Sequence, residues 1–89
     1  VLVVSRESIN RALPVVGVCP LTSRKQARRV YATEVLIPSG EGGLALESLV
    51  LAHQVRTVSK ERLRERLGTL DNEMLKAAVR DALSLFLNL

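Results

Sequence analysis

Sulfur, aromatic rings and long apolar runs are all scarce in this chain. A single cysteine, Cys19, excludes an internal disulfide framework and a multi-cysteine zinc site, which suits a reducing compartment. With one tyrosine, one phenylalanine and no tryptophan, the chain cannot stack successive bases on aromatic platforms, so any nucleic-acid contact must be dominated by phosphate. No apolar run approaches the ~18–20 residues that cross a bilayer. The opening Val1–Val4 stretch has no basic residues before it and no cleavage site after it, so the expected address is the cytoplasm with no membrane partner. Standard active-site signatures are missing as well: there is no GxGxxG or Walker loop, no nucleophile elbow, and no cluster of His and carboxylates at metal-ligand spacing. Cys19 itself, within an apolar stretch, reads as a buried, inert thiol.

What is present suffices for a small core. The 89 residues are 47% hydrophobic and 25% charged, enough for one domain spanning residues 1–89, and a domain of this size leans on partners or oligomerisation. Basic residues outnumber acidic ones 13 to 9, a net charge of +4, which favours an acidic partner such as nucleic acid or an acidic protein segment.

Along the chain, β-branched and apolar runs come first. Val1–Val4 reads as a strand buried on both faces, with Ser5 capping a turn of helix over Arg6–Ala12. Val15, Val16, Val18 and Cys19 form a second strand, and Pro20, which lacks a donor, predicts that the ladder weakens or shifts there. Leu21, Thr22 and Ser23 are expected to leave the sheet and lead into Arg24–Arg29, the densest run of positive charge. A third strand lies within Tyr31–Ile37, followed by a turn cluster of Pro38, Gly40, Gly42 and Gly43. A fourth spans Ser48–Thr57, with His53, Gln54 and Arg56 as polar members. Leu63 and Leu67 sit at helical spacing among charges and predict an amphipathic helix stopped by Gly68. A final helix, capped by Asp71, carries Leu75, Val79, Ala82, Leu83 and Phe86 on its apolar face, with Lys76, Arg80 and Asp81 toward solvent. Closely spaced strands followed by a helix predict a mainly β fold: a small, curled, barrel-like sheet with a helix over one end or face.

Candidate chemistry gathers at strand ends. The Thr22 hydroxyl either ties its own backbone or meets a substrate. Arg24, Lys25, Arg28 and Arg29 form either a solubilising loop or a phosphate-binding arm. His53 is either a hydrogen-bonded structural residue or a general acid or base, and Arg56 pairs with a phosphate, with Glu34 or with another carboxylate. By themselves these residues describe a basic, β-rich domain suited to nucleic acid.

Taken in order, the segments VLVVSRESIN, CPLTS at Cys19–Ser23, TEVLIP at Thr33–Pro38, GLALESLVLAHQVRTV at Gly43–Val58, the RLGTL stretch through Leu70 and the final ALSLFLNL resemble the MazF/PemK/Kid family of toxins from type II toxin-antitoxin systems. The resemblance covers the whole chain. It implies an SH3-like, CcdB-type curled β-barrel with a C-terminal helix, assembled as a homodimer that binds single-stranded RNA along its interface, and an acidic antitoxin whose flexible tail fills the same groove. It further implies RNA cleavage through 2′-hydroxyl attack without metal or other cofactor, with Thr22 of the TS motif central to the reaction. The loop between Ser23 and Tyr31 looks longer than usual for the family, and its basic residues Arg24, Lys25, Arg28 and Arg29 are expected to track the RNA backbone, with Ser23, Gln54 and Arg56 also on the RNA. The threonine's partner in the family is an arginine from a GRRP-like segment. That segment, with an N-terminal strand, falls upstream of Val1, so the 89 residues alone are expected to cleave RNA poorly. Many relatives carry an acidic residue where this chain has His53, which makes His53 a candidate for proton transfer. The family's YPFEV stretch appears here as Tyr31–Val35, implying weaker base stacking, and the family pattern makes Glu65–Thr69 a short strand where periodicity alone predicts helix. A catalytically silent relative that keeps RNA or antitoxin binding, and a gyrase-directed toxin of the same fold, are the alternatives.

Overall fold

A computed structural model describes residues 1–26 and 28–89. Ala27, inside the basic run, lies outside the described residues. Six strands form two three-stranded antiparallel sheets. The first has the order β1 (Leu2–Val3), β2 (Val15–Cys19), β6 (Arg56–Ser59), and the second the order β3 (Leu21–Ser23), β5 (Ser48–Leu51), β4 (Glu34–Ile37). A short helix α1 (Glu7–Ala12) joins β1 to β2, and the helix α2 (Glu73–Leu87) closes the chain.

Pro20 marks the boundary between the sheets, as its missing N–H requires. The segment that begins as β2 resumes immediately as β3 in the other sheet. Leu21–Ser23 therefore leave one ladder only to enter another, pairing Thr22 with Leu49 and Ser23 with Ser48. The expected single strand over Ser48–Thr57 is likewise divided. A 3₁₀ turn at Ala52–Gln54 separates β5 from β6, so His53 and Gln54 sit on a turn while Arg56 belongs to the first sheet. Both crossings are tied together, because the Leu51 amide donates to the Pro20 carbonyl at 3.0 Å and the Ala52 amide donates to the Thr33 carbonyl at 3.0 Å.

The row Leu21, Val50, Val35 shares one face of the second sheet, since directly opposed residues point the same way. This face packs under α2, joining Cys19, Ile37, Ala52, Val79 and Ala82 in one core cluster. Each fully buried Val, Leu or Ile here contributes roughly 1.5–3 kcal/mol. Burial also pushes the Cys19 thiol above its ordinary pKa, in keeping with an unreactive sulfur. Among the described residues no helix is long and apolar enough to cross a membrane.

Several local expectations are corrected. β1 is an edge strand, with Val3 42% exposed. Ser5 does not cap α1; its hydroxyl bonds the Asn10 side chain and accepts the Gly17 amide at 2.9 Å, fastening α1 to β2. The cap of α2 is Asn72 and not Asp71: its Oδ1 accepts the Met74 and Leu75 amides at 3.0 and 3.1 Å. Phe86, expected on the apolar face of α2, is 47% exposed. Residues 63–70 form neither the helix that the spacing predicts nor the strand of the family pattern. Their path is set by a close backbone approach. A Cβ on Gly43, whose φ is +78°, would lie 2.2 Å from the Leu67 carbonyl oxygen, and one on Gly68 would lie 2.7 Å from that of Gly42. Only glycines permit this contact.

Candidate functional site

Thr22 stands exposed in the middle of β3, an edge strand of the second sheet. Its backbone neighbour Leu49 is fully buried, so the threonine is held on a rigid support while its side chain meets solvent. Ser23 is also exposed, and the chain then runs directly into the cations.

These cations are not equivalent. Arg24 turns inward, its Nε donating to the Arg28 carbonyl at 3.0 Å and its Nη1 lying 3.5 Å from Glu47. Arg28 grips Glu34 through two parallel bonds of 3.1 and 2.8 Å. The expectation that Glu34 serves Arg56 is therefore corrected, because Glu34 opens β4 beside Arg28 while Arg56 lies in the other sheet. Lys25, Arg29 and Arg56 are exposed and have no carboxylate partner among the described residues. Arg29 instead lies over the Tyr31 ring, 5.2 Å from its centroid.

At the start of β4, Glu34 is 9% exposed and fully bonded, since Oε1 also accepts the Tyr31 amide at 3.0 Å. The bonds from Arg28 hold its carboxyl below the ordinary carboxylate range; burial opposes this, and the Tyr31 amide and the charges of Arg28 and His53 reinforce it. His53 thus belongs to the same corner. Its Nδ1 lies 3.1 Å from the Thr33 hydroxyl, which donates to a neutral Nδ1 and accepts when Nδ1 carries the proton. No hydrogen bond to its Nε2 is made among the described residues. Gln54 is exposed on the same turn.

The predicted residues consequently form two groups. Thr22 and Ser23 lie on one edge strand, and Arg28, Arg29 and His53 gather around Glu34 beside the other edge strand, β4, across the central β5. Thr22 and His53 share no hydrogen bond among the described residues; the partner of His53 there is Thr33. Thr33 and the anchoring role of Glu34 were missed by sequence reasoning; the available signal was the one acid among residues 24–40 following a run of cations. A recess of about 960 Å³ between Val1–Val4, residues 62–70 and α2 includes none of the predicted site residues.

An exposed threonine on an edge strand of a two-sheet β fold, followed by cations and closed by a C-terminal helix, can be set against known proteins. The family model described as the PemK-like, MazF-like toxin of type II toxin-antitoxin systems matches residues 1–87. The chain belongs to this family. Among relatives of this PemK/MazF domain, Endoribonuclease EndoA of Bacillus subtilis is 34% identical over 75 residues, covering 84% of this chain and 64% of the relative. Endoribonuclease MazF of Staphylococcus saprophyticus is 30% identical over 89 residues, covering 100% of this chain and 72% of the relative. The domain thus spans just under two thirds of the Bacillus relative's length. A solved structure of an endoribonuclease in complex with its cognate antitoxin, from Mycobacterial species, superposes with a TM-score of 0.83 at 27% identity, covering 99% of this chain and 79% of that one. The mainly β fold with its C-terminal helix is therefore the PemK/MazF fold.

Proposed function

We propose that this domain is the ribonuclease toxin of a type II toxin-antitoxin system, cleaving single-stranded RNA by attack of a ribose 2′-hydroxyl on the adjacent phosphate. In that step the bond from the 2′-oxygen to phosphorus forms and the bond from phosphorus to the 5′-oxygen breaks. One proton leaves the 2′-hydroxyl and one reaches the 5′-oxygen, giving a cyclic phosphate and a 5′-hydroxyl. Because the nucleophile belongs to the substrate, the protein's work is orientation, proton exchange and stabilisation of charge on the phosphorane.

The observation that carries the reading is the exposed Thr22 hydroxyl on an edge strand that leads straight into the cationic run, in a chain of this family. Thr22 donates to a non-bridging phosphate oxygen. Lys25, Arg29 and Arg56 hold the flanking phosphates, Ser23 and Gln54 contact the strand, and His53 exchanges a proton through Nε2. Arg24 and Arg28, being paired within the protein, shape the RNA surface and contribute less direct charge. The partner is an acidic antitoxin with a flexible tail, a proposal supported by the antitoxin complex of the Mycobacterial relative. Exposed Leu85, Phe86 and Leu87 on α2 support assembly as a homodimer, and the site of action is the cytoplasm, where mRNA lies.

Incubating the purified full-length gene product with single-stranded RNA in EDTA tests this reading. Cuts with cyclic phosphate ends, reduced at least a hundredfold by Thr22→Val with the RNA affinity retained, are expected. Intact RNA with retained binding would mean a catalytically silent relative, and trapped gyrase would mean a protein-directed toxin. Cleavage unchanged in His53→Ala would remove His53 from the mechanism.

A further inference from the structure

We propose that Glu34 is a positioning residue for RNA, acting through Arg28 to hold Arg29 and Tyr31 as a rigid platform for one unpaired base. The inference rests on the RNA reading above and extends it to a subsite. Its basis is the way one carboxylate pins the short stretch before β4. Glu34 Oε1 accepts the Tyr31 amide at 3.0 Å, while the Glu34 amide donates to the Tyr31 carbonyl at 2.9 Å. Arg28, fixed by both oxygens of Glu34, uses its Nη1 to donate to the Arg29 carbonyl at 2.7 Å. The backbone from Arg29 through Tyr31 is therefore held at each end by the same ion pair.

What that backbone displays is a stacking unit. Tyr31 is 55% exposed, and the Arg29 guanidinium lies over its ring at 5.2 Å from the centroid. Guanidinium and phenol rings are both flat surfaces on which unstacked bases settle, and a platform ordered in advance saves the entropy of arranging it on binding. The charged edge of the guanidinium also remains available to a phosphate. His53, near enough to Glu34 to bias its charge, places the proposed proton-exchanging nitrogen beside the same corner.

A mutant cycle tests the coupling, with affinity for a fluorescent single-stranded RNA of mixed sequence as one readout and the protein's own tyrosine emission as another. Tyr31 is the only tyrosine and there is no tryptophan, so its emission anisotropy reports the platform without RNA. Tyr31→Ala is expected to weaken RNA binding about tenfold in the native protein. In the Glu34→Gln background the same change should cost less than twofold, because the platform is already loose. Tyrosine anisotropy should fall in Glu34→Gln with the fold retained by circular dichroism. Should Glu34→Gln not fold, Arg28→Lys, which keeps the charge but loses the paired bonds, is expected to give the same two results. Losses that multiply independently, or an unchanged anisotropy, would overturn the proposal. RNA that fails to bind the native protein would overturn the proposed function, while the anisotropy alone still judges whether Glu34 holds Tyr31.

Discussion

Glu34 accepts from three donors, two on Arg28 and the Tyr31 amide, so its protonation is tied to the integrity of the fold. Its carboxyl is held below the ordinary range chiefly by Arg28. A lowered folded pKa means that its stabilisation is complete above the unfolded value near ~4.3 and drains away as the pH falls through the folded value. Urea unfolding at pH 7, 4 and 3 is expected to show a steep acid loss in the native protein and a shallower one in Glu34→Gln, with no difference in slope between pH 6 and 7 from this group. At this scale the sequence displays the residue types of the site but not their pairing. The run Arg24–Arg29 is visible as positive charge, yet which cations face solvent depends on Glu34 and Glu47, brought to Arg28 and Arg24 by turns whose geometry no spacing rule encodes. Thr33 carried no signal of its contact with His53, because that pair forms only once the chain bends at Ala52–Gln54.

The elements repeat this division between what pattern specifies and what packing decides. α2 is legible from its apolar stripe, since Val79 and Ala82 are buried where the period of 3.6 places them. The pattern points to Asp71 as its cap, but the next residue also has a suitable oxygen, and the role belongs to Asn72 because its Oδ1 reaches two amides. Asn72→Ala is expected to cost about 1 kcal/mol in chemical denaturation, with Asp71→Ala costing less than half of that. The break between β5 and β6 was hidden, as no glycine or proline marks the turn. Residues 63–70 mislead for the opposite reason: a local period exists, but the approach of Gly42–Gly43 to Leu67–Gly68 overrides it. Gly43→Ala is expected to destabilise by roughly 1–3 kcal/mol or more, read as a drop in thermal midpoint, because both its positive φ and its close neighbour oppose a methyl group.

For the molecule as a whole, a net charge of +4 understates the polarisation of the surface. Glu34 and Glu47 pair with Arg28 and Arg24, which leaves Lys25 and Arg29 of the basic run, with Arg56 of β6, exposed and without a carboxylate partner among the described residues. Replacing Lys25 and Arg29 by alanine is expected to lower the slope of log affinity against log salt by about 0.7 for each phosphate that is no longer neutralised, measured by titrating single-stranded RNA at salt concentrations from about 50 to 200 mM. Arg24→Ala should change that slope less than either. The bond between the Leu51 amide and the Pro20 carbonyl bears on this larger picture. The bond joins the two places where the chain changes sheets, Pro20 and the start of the Ala52–Gln54 turn, so both crossings share one seam. A displacement of the amino-terminal sheet that shifts this seam is expected to reach β3, because the edge strand bearing Thr22 begins at the residue after Pro20.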